Sequence, residues 1–205
     1  NLNVNNTWFG GQLVVENKKI TSLLDEQLSK NRYLYPKKAY QTIKLPKKIN
    51  FIPNIPNKGN FKINVIKTEL PGILTYQESI TICQKPNSWD EILNLHNLCH
   101  LCVIERHGKN GEFAHGFIKN FNLRLGAVAS SVGHDAHNII VSGLNEKDMR
   151  LAVKLVNECQ GGIIIVNNGK LISKVELPIA GLLSDKKASE VAKDNRLFKE
   201  NWAKS

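Results

Sequence analysis

Two short clusters hold the residue types that could move protons or grip a polar ligand. The first reads Glu105-Arg106-His107-Gly108-Lys109-Asn110-Gly111, the second Ser130-Ser131-Val132-Gly133-His134-Asp135-Ala136-His137-Asn138. All six histidines lie between His96 and His137, and the first 95 and last 68 residues have none. Histidine titrates near neutrality, binds metals and shuttles protons, so its crowding with Asp, Glu, Arg and Ser points to a site.

In the second cluster His134 and His137 are three apart with Asp135 between them, in a break between two strand-like runs. A break frees side chains from strict alternation and lets them converge. His134, Asp135 and His137 are therefore the candidate catalytic residues: Asp135 could orient an imidazole or accept a proton. Ser130, Ser131 and Asn138 are candidate substrate contacts, as are Arg106 and His107 from the first cluster, where Asn110 and Gly111 allow close backbone approach. Two His and one Asp do not fix a metal geometry, so no metal is assigned to them. The bland alternative stays open. Asp135 and Asn138 could simply satisfy turn backbone, and Glu105 could form an ordinary ion pair with Arg106.

The elements that must position these clusters follow from periodicity. Trp8 to Ile20 reads as two short strands around a polar turn. Residues 21–60 are broken by Pro36, Pro46, Pro53 and Pro56 and read as a wrapping connector with at most a helical turn. A unit begins near Phe61, where Phe61 to Ile66 alternates like a strand, and Pro71-Gly72 punctuates it before Ile73 to Tyr76. Gly126 to Val132 and Ile139 to Gly143 flank the second cluster as strands. Asn145 caps a helix running to Cys159, with Met149, Ala152, Val153, Val156 and Cys159 as its apolar stripe. Asn167-Asn168-Gly169 is a positive-φ turn joining a hairpin, and Ser184 is expected to cap a last helix with Ala188, Val191, Ala192, Phe198 and Trp202 inward. The class is α+β: mixed or antiparallel sheets with flanking helices, preceded by a small β-hairpin.

Size and composition narrow the function classes. The 205 residues can bury one core plus a small satellite, and 41% hydrophobic content suits a folded domain. No run of about 18 apolar residues suggests a membrane span. The chain opens on Asn1-Leu2 without an initiator Met or signal architecture, so it reads as beginning mid-protein. The net charge is +10, with +7 of it in residues 1–60. Lys far outnumbers Arg, and no aromatic-interleaved RNA motif accompanies the basic stretches, so nucleic acid is not the expected partner. Cys83, Cys99, Cys102 and Cys159 show no disulfide spacing, which points to a reducing cytoplasm. The Cys99-x-x-Cys102 pair is read as buried thiols in an apolar run rather than half a zinc knuckle.

Taken in order, Val103 to Gly111, Gly126 to Val141 and Leu177-Pro178-Ile179-Ala180-Gly181-Leu182-Leu183-Ser184-Asp185 resemble the C-terminal portion of bacterial adenine deaminases, in the amidohydrolase superfamily. The resemblance divides the chain into 1–60, a hairpin and connector like the segment that follows the catalytic barrel, and 61–205, the C-terminal α+β domain. It implies hydrolysis of adenine to hypoxanthine and ammonia in purine salvage, by an enzyme whose barrel holds manganese or iron and which assembles as a homo-oligomer. No His-x-His pair occurs in this chain, and a barrel of about 250 residues does not fit within it. The implied metal would then be held elsewhere, by a barrel-bearing N-terminal portion or partner chain, and this chain alone is expected to be inactive. A non-catalytic purine- or metal-binding module and a structural remnant remain the alternatives.

Overall fold

A computed structural model describes residues 3–30, 35–69 and 74–204. Asn1-Leu2, the Pro71-Gly72 punctuation and Ile73 lie outside them. The chain divides into two units, residues 1–36 and 37–205.

In the first unit three strands, β1 (Thr7–Phe9), β2 (Gln12–Glu16) and β3 (Lys19–Ile20), pair antiparallel in that order. The expected pair of strands thus gains a short third one. Helix α1 (Ser22–Lys30) follows, and the hydroxyl of Thr21 accepts from Leu24 N at 3.5 Å. This helix is longer than the single turn expected. The prolines that bar a helix begin only at Pro36, leaving 22–30 free to coil. Trp8 and Phe9 are exposed.

The second unit is built on one eight-stranded sheet. Its strands are β4 (Phe61–Thr68), β5 (Thr75–Ile82), β6 (Leu98–Ile104), β7 (Phe113–Lys119), β8 (Ala127–Ser130), β9 (Ile139–Gly143), β10 (Gly162–Asn167) and β11 (Lys170–Glu176). They lie in the order β11-β10-β8-β9-β6-β7-β4-β5, antiparallel throughout except for parallel β4 and β7. This is the mixed α+β arrangement expected, and no closed barrel forms among the described residues.

Alternation along the strands divides the core between two faces. Ala127, Ala129, Ile139, Val141, Cys102, Ile104, Ile164 and Val166 point to the face covered by α3 (Glu146–Glu158), whose Met149, Ala152, Val153 and Val156 meet them. Ile43 and Phe51, from the proline-rich stretch, are buried in the same cluster. Each such side chain contributes roughly 1.5–3 kcal/mol on burial. Further along, α2 (Trp89–His96) closes a second cluster with Ile63, Val65, Ile80, Leu98 and Phe117. Helix α4 (Ala188–Trp202) packs on β11.

The start of α3 is as read, since Asn145 Oδ1 accepts from Asp148 N at 2.9 Å. The start of α4 is not. Ser184 Oγ accepts from Lys186 N, and the helix begins at Ala188, where Glu190 reaches back to Lys187 N at 2.9 Å. Within α4, Val191, Phe198 and Trp202 are half-buried, whereas Ala188 and Ala192 are exposed.

No helix among the described residues is long and apolar enough to cross a membrane.

Candidate functional site

Strands β8 and β9 are antiparallel neighbours, so residues 131–138 form the link between adjacent strands. His137 N donates to Gly133 O at 2.6 Å and closes the link into a tight turn, with His137 at φ 50°. At its tip His134 Nδ1 lies 2.8 Å from Asp135 Oδ1, with side-chain exposures of 86% and 99%. The His137 ring sits 5.6 Å from the His134 ring. Its Nδ1 is buried and has no hydrogen-bond partner among the described residues. The turn therefore offers an imidazole–carboxylate pair to whatever approaches it, with a second imidazole behind.

The first cluster sits at the end of β6, beside this turn. His107 Nε2 lies 3.0 Å from Ala136 O, which ties the two clusters together. Glu105 and Arg106 do not pair with each other. Both lie just past the end of β6, and each finds backbone instead. Glu105 accepts from the N–H groups of His107, Lys109 (3.1 Å) and Gly111 (3.2 Å). Burial alone would raise the Glu105 carboxyl, but these N–H groups and that of Asn110 outweigh it and hold its pKa below the usual range. The loop is thus wrapped around its own anion.

Arg106 is buried, 2% exposed. Its Nε donates to His137 O and its Nη2 to Ala180 O at 3.0 Å. Burial lowers its pKa from the ordinary value, and no carboxylate among the described residues forms an ion pair with it. Ser131 is buried too. Its hydroxyl donates to Gly181 O at 2.6 Å and accepts from Gly162 N at 2.8 Å.

Of the candidate residues, His107, His134, Asp135 and His137 come together at the surface, with Arg106 and Ser131 beneath them. Ser130 turns the other way, with its hydroxyl bonded to the Val132 backbone. It lines a cavity of about 390 Å³ between the sheet and α4, walled by Leu101, Val128, Ile140, Phe198 and Trp202. Asn138 lines a separate cavity of about 590 Å³ with Glu105, Asn110, Glu112 and Phe113. The roles of Glu105, Ala180 and Gly181 were not foreseen from spacing. The only signal was that they fall within the matching runs.

Cys99 and Cys102, three apart on β6, point to opposite faces of the sheet. Burial raises them to about 11 and about 12. No group of three or more His, Cys, Asp or Glu among the described residues is arranged to hold a metal ion.

An α+β sheet domain with a histidine turn between its central strands is the class of structure defined here. The model of the adenine deaminase C-terminal domain matches residues 73–205. The chain is 53% identical to an adenine deaminase of Chelativorans sp. strain BNC1 over 98% of its own length and 33% of the relative's. It is 53% identical to adenine deaminase 2 of Bradyrhizobium sp. strain ORS 278 over 97% of this chain and 33% of the relative. An adenine deaminase of Clostridium botulinum is 35% identical over 83% of this chain and 29% of the relative. The chain belongs to the adenine deaminase family, with its match in that family's C-terminal domain. It spans about one third of the length of the curated relatives it matches.

Proposed function

We propose that this chain is the C-terminal part of an adenine deaminase, working against a metal-bearing barrel supplied by the rest of the enzyme. The assembled protein would hydrolyse adenine to hypoxanthine, with water replacing the amino group and ammonia leaving. The observation that carries this reading is the exposed His134–Asp135 pair at the tip of the β8–β9 link in a chain of this family. A carboxylate bonded to an imidazole can hold or pass a proton. It would do so near the departing amine once the barrel covers the turn and excludes water.

Manganese or iron belongs to the proposal as a group of the barrel. The described residues of this chain do not fit such a group, because none of their clusters has the needed ligands. Any metal-activated water would come from outside these residues, and this chain's part is to wall the purine and manage a proton. His107, exposed beside the turn, and Asn138, half-buried and opening on the cavity it shares with Glu105 and Asn110, are the side chains best placed to touch substrate. Homo-oligomeric assembly and purine salvage in the cytoplasm accompany the reading.

Ammonia release from adenine tests it. The chain alone with manganese should release none above a metal-only blank, and the chain joined to a barrel-bearing portion should. Turnover by the chain alone would contradict the proposal. Adenine binding by the chain alone, with no turnover in the joined protein, would favour a non-catalytic purine module.

A further inference from the structure

Arg106 is a costly residue for its place. Among the described residues no carboxylate pairs with this buried cation, and carbonyl partners make up for its lost hydration only if they are well aligned. Here both partners are main-chain oxygens, from segments 31 and 74 residues away: His137 O in the histidine turn and Ala180 O in the Leu177–Leu183 loop. The planar fork of arginine can hold two oxygens at a fixed angle, which a lysine ammonium does not enforce.

The surroundings are shaped to this fork. Gly181 has φ +71°, and a Cβ there would lie 2.7 Å from Arg106 Nη1 and 3.0 Å from its Cζ, so any side chain would push the guanidinium from its place. Gly181 O is in turn held by the Ser131 hydroxyl, at the root of the histidine turn. The ring of contacts closes on itself: Arg106 to His137, back along the turn to Ser131, to Gly181 and Ala180, and to Arg106 again. The backbone of Arg106 adds a third segment, since its carbonyl accepts from Lys44 N at 2.8 Å.

We propose that Arg106 is a positioning residue, a latch that locks the histidine turn and the Leu177–Leu183 loop into one unit and so fixes the bearing of His134, Asp135 and His137. Its part in turnover rests on the function proposed above; the coupling of the two segments does not. Arg106 itself touches no substrate in this account.

The test is amide hydrogen exchange on the full 205-residue chain, comparing the unmodified protein with Arg106→Lys and Gly181→Ala. A hydrogen bond to a charged group contributes enough that its loss should speed local opening about tenfold or more. The His137 amide and the hydrogen-bonded amides of residues 177–183 should lose protection together in both variants, while β8 and β10 keep theirs. Gly181→Ala is the sharper arm, because Gly181 has no hydrogen bond to residues 133–138. If it loosens only its own loop, or if Arg106→Lys leaves both segments protected, the latch is refuted. Where one variant fails to fold, the other still decides. In the protein joined to a barrel, Arg106→Lys should lower kcat with little change in KM. Coupled exchange with unchanged kcat would leave the latch standing and remove the histidine turn from turnover.

Discussion

Asp148 Oδ1 accepts a hydrogen bond from Gly169 N at 2.7 Å, joining the first turn of α3 to the tip of the β10–β11 hairpin. The other oxygen accepts from Asn168 N at 3.1 Å and from Asn145 Nδ2 at 3.0 Å. Asp148 stands in the first turn of α3, and Asn167-Asn168-Gly169 reads in the sequence as a positive-φ turn. In the fold one buried carboxylate, 2% exposed, serves both. Asp148→Ala should therefore cost about 3 kcal/mol, because it orphans buried donors. Asn145→Ala should cost nearer about 1 kcal/mol, as cap losses do. Urea unfolding of the two variants checks the order, and equal small losses would show the hairpin turn to be independent of α3.

That bond also marks where sequence reading stops. Helix α3 was legible because its cap and its stripe are both local. The strands around the histidine turn were legible because polar, turn-prone residues separate two apolar runs. The strand order was not, since β6 is paired with β7 and β9, and no spacing rule dictates that. The same holds for the site. His134, Asp135 and His137 could be picked out by type and spacing, whereas the burial of Arg106 depends on Ala180, 74 residues away. Glu105 and Arg106 invited an ion-pair reading because they are adjacent, and in the fold each turns to backbone groups of different segments.

His100 should make stability depend on pH. It is 1% exposed, packed against Trp89 at 6.3 Å and Phe117 at 5.5 Å between ring centres. Burial, with a smaller push from His115, lowers it from 6.5 to about 4. The folded protein keeps this imidazole neutral, while the unfolded chain takes up a proton below about pH 6.5. Stability is therefore full above that pH and declines as pH falls toward about 4, by about 3 kcal/mol in all. His100→Phe should flatten the decline in denaturant titrations run across that range. An unchanged slope would locate the acid sensitivity in other groups.

The thiols should divide sharply in reactivity. Cys83 is exposed, whereas Cys99 and Cys102 are buried and raised to about 11 and about 12. Since the thiolate is the reactive form, an alkylating agent at neutral pH should label Cys83 first and leave Cys99 and Cys102 intact until unfolding. Mass mapping of the labelled sites checks this. Early labelling of Cys102 would mean that the sheet opens locally at β6.

The central claim is that the exposed turn serves turnover when a barrel covers it. The most direct measurement is kcat for adenine in the joined enzyme carrying Asp135→Asn, with the melting temperature of the same protein recorded beside it. The account predicts that kcat falls by about 10²-fold or more, the usual contribution of a positioned proton-transfer group. The melting temperature should stay where it is, because the Asp135 side chain is 99% exposed and its polar contact among the described residues is with His134. An unchanged kcat with a lowered melting temperature would show the histidine turn to be scaffolding.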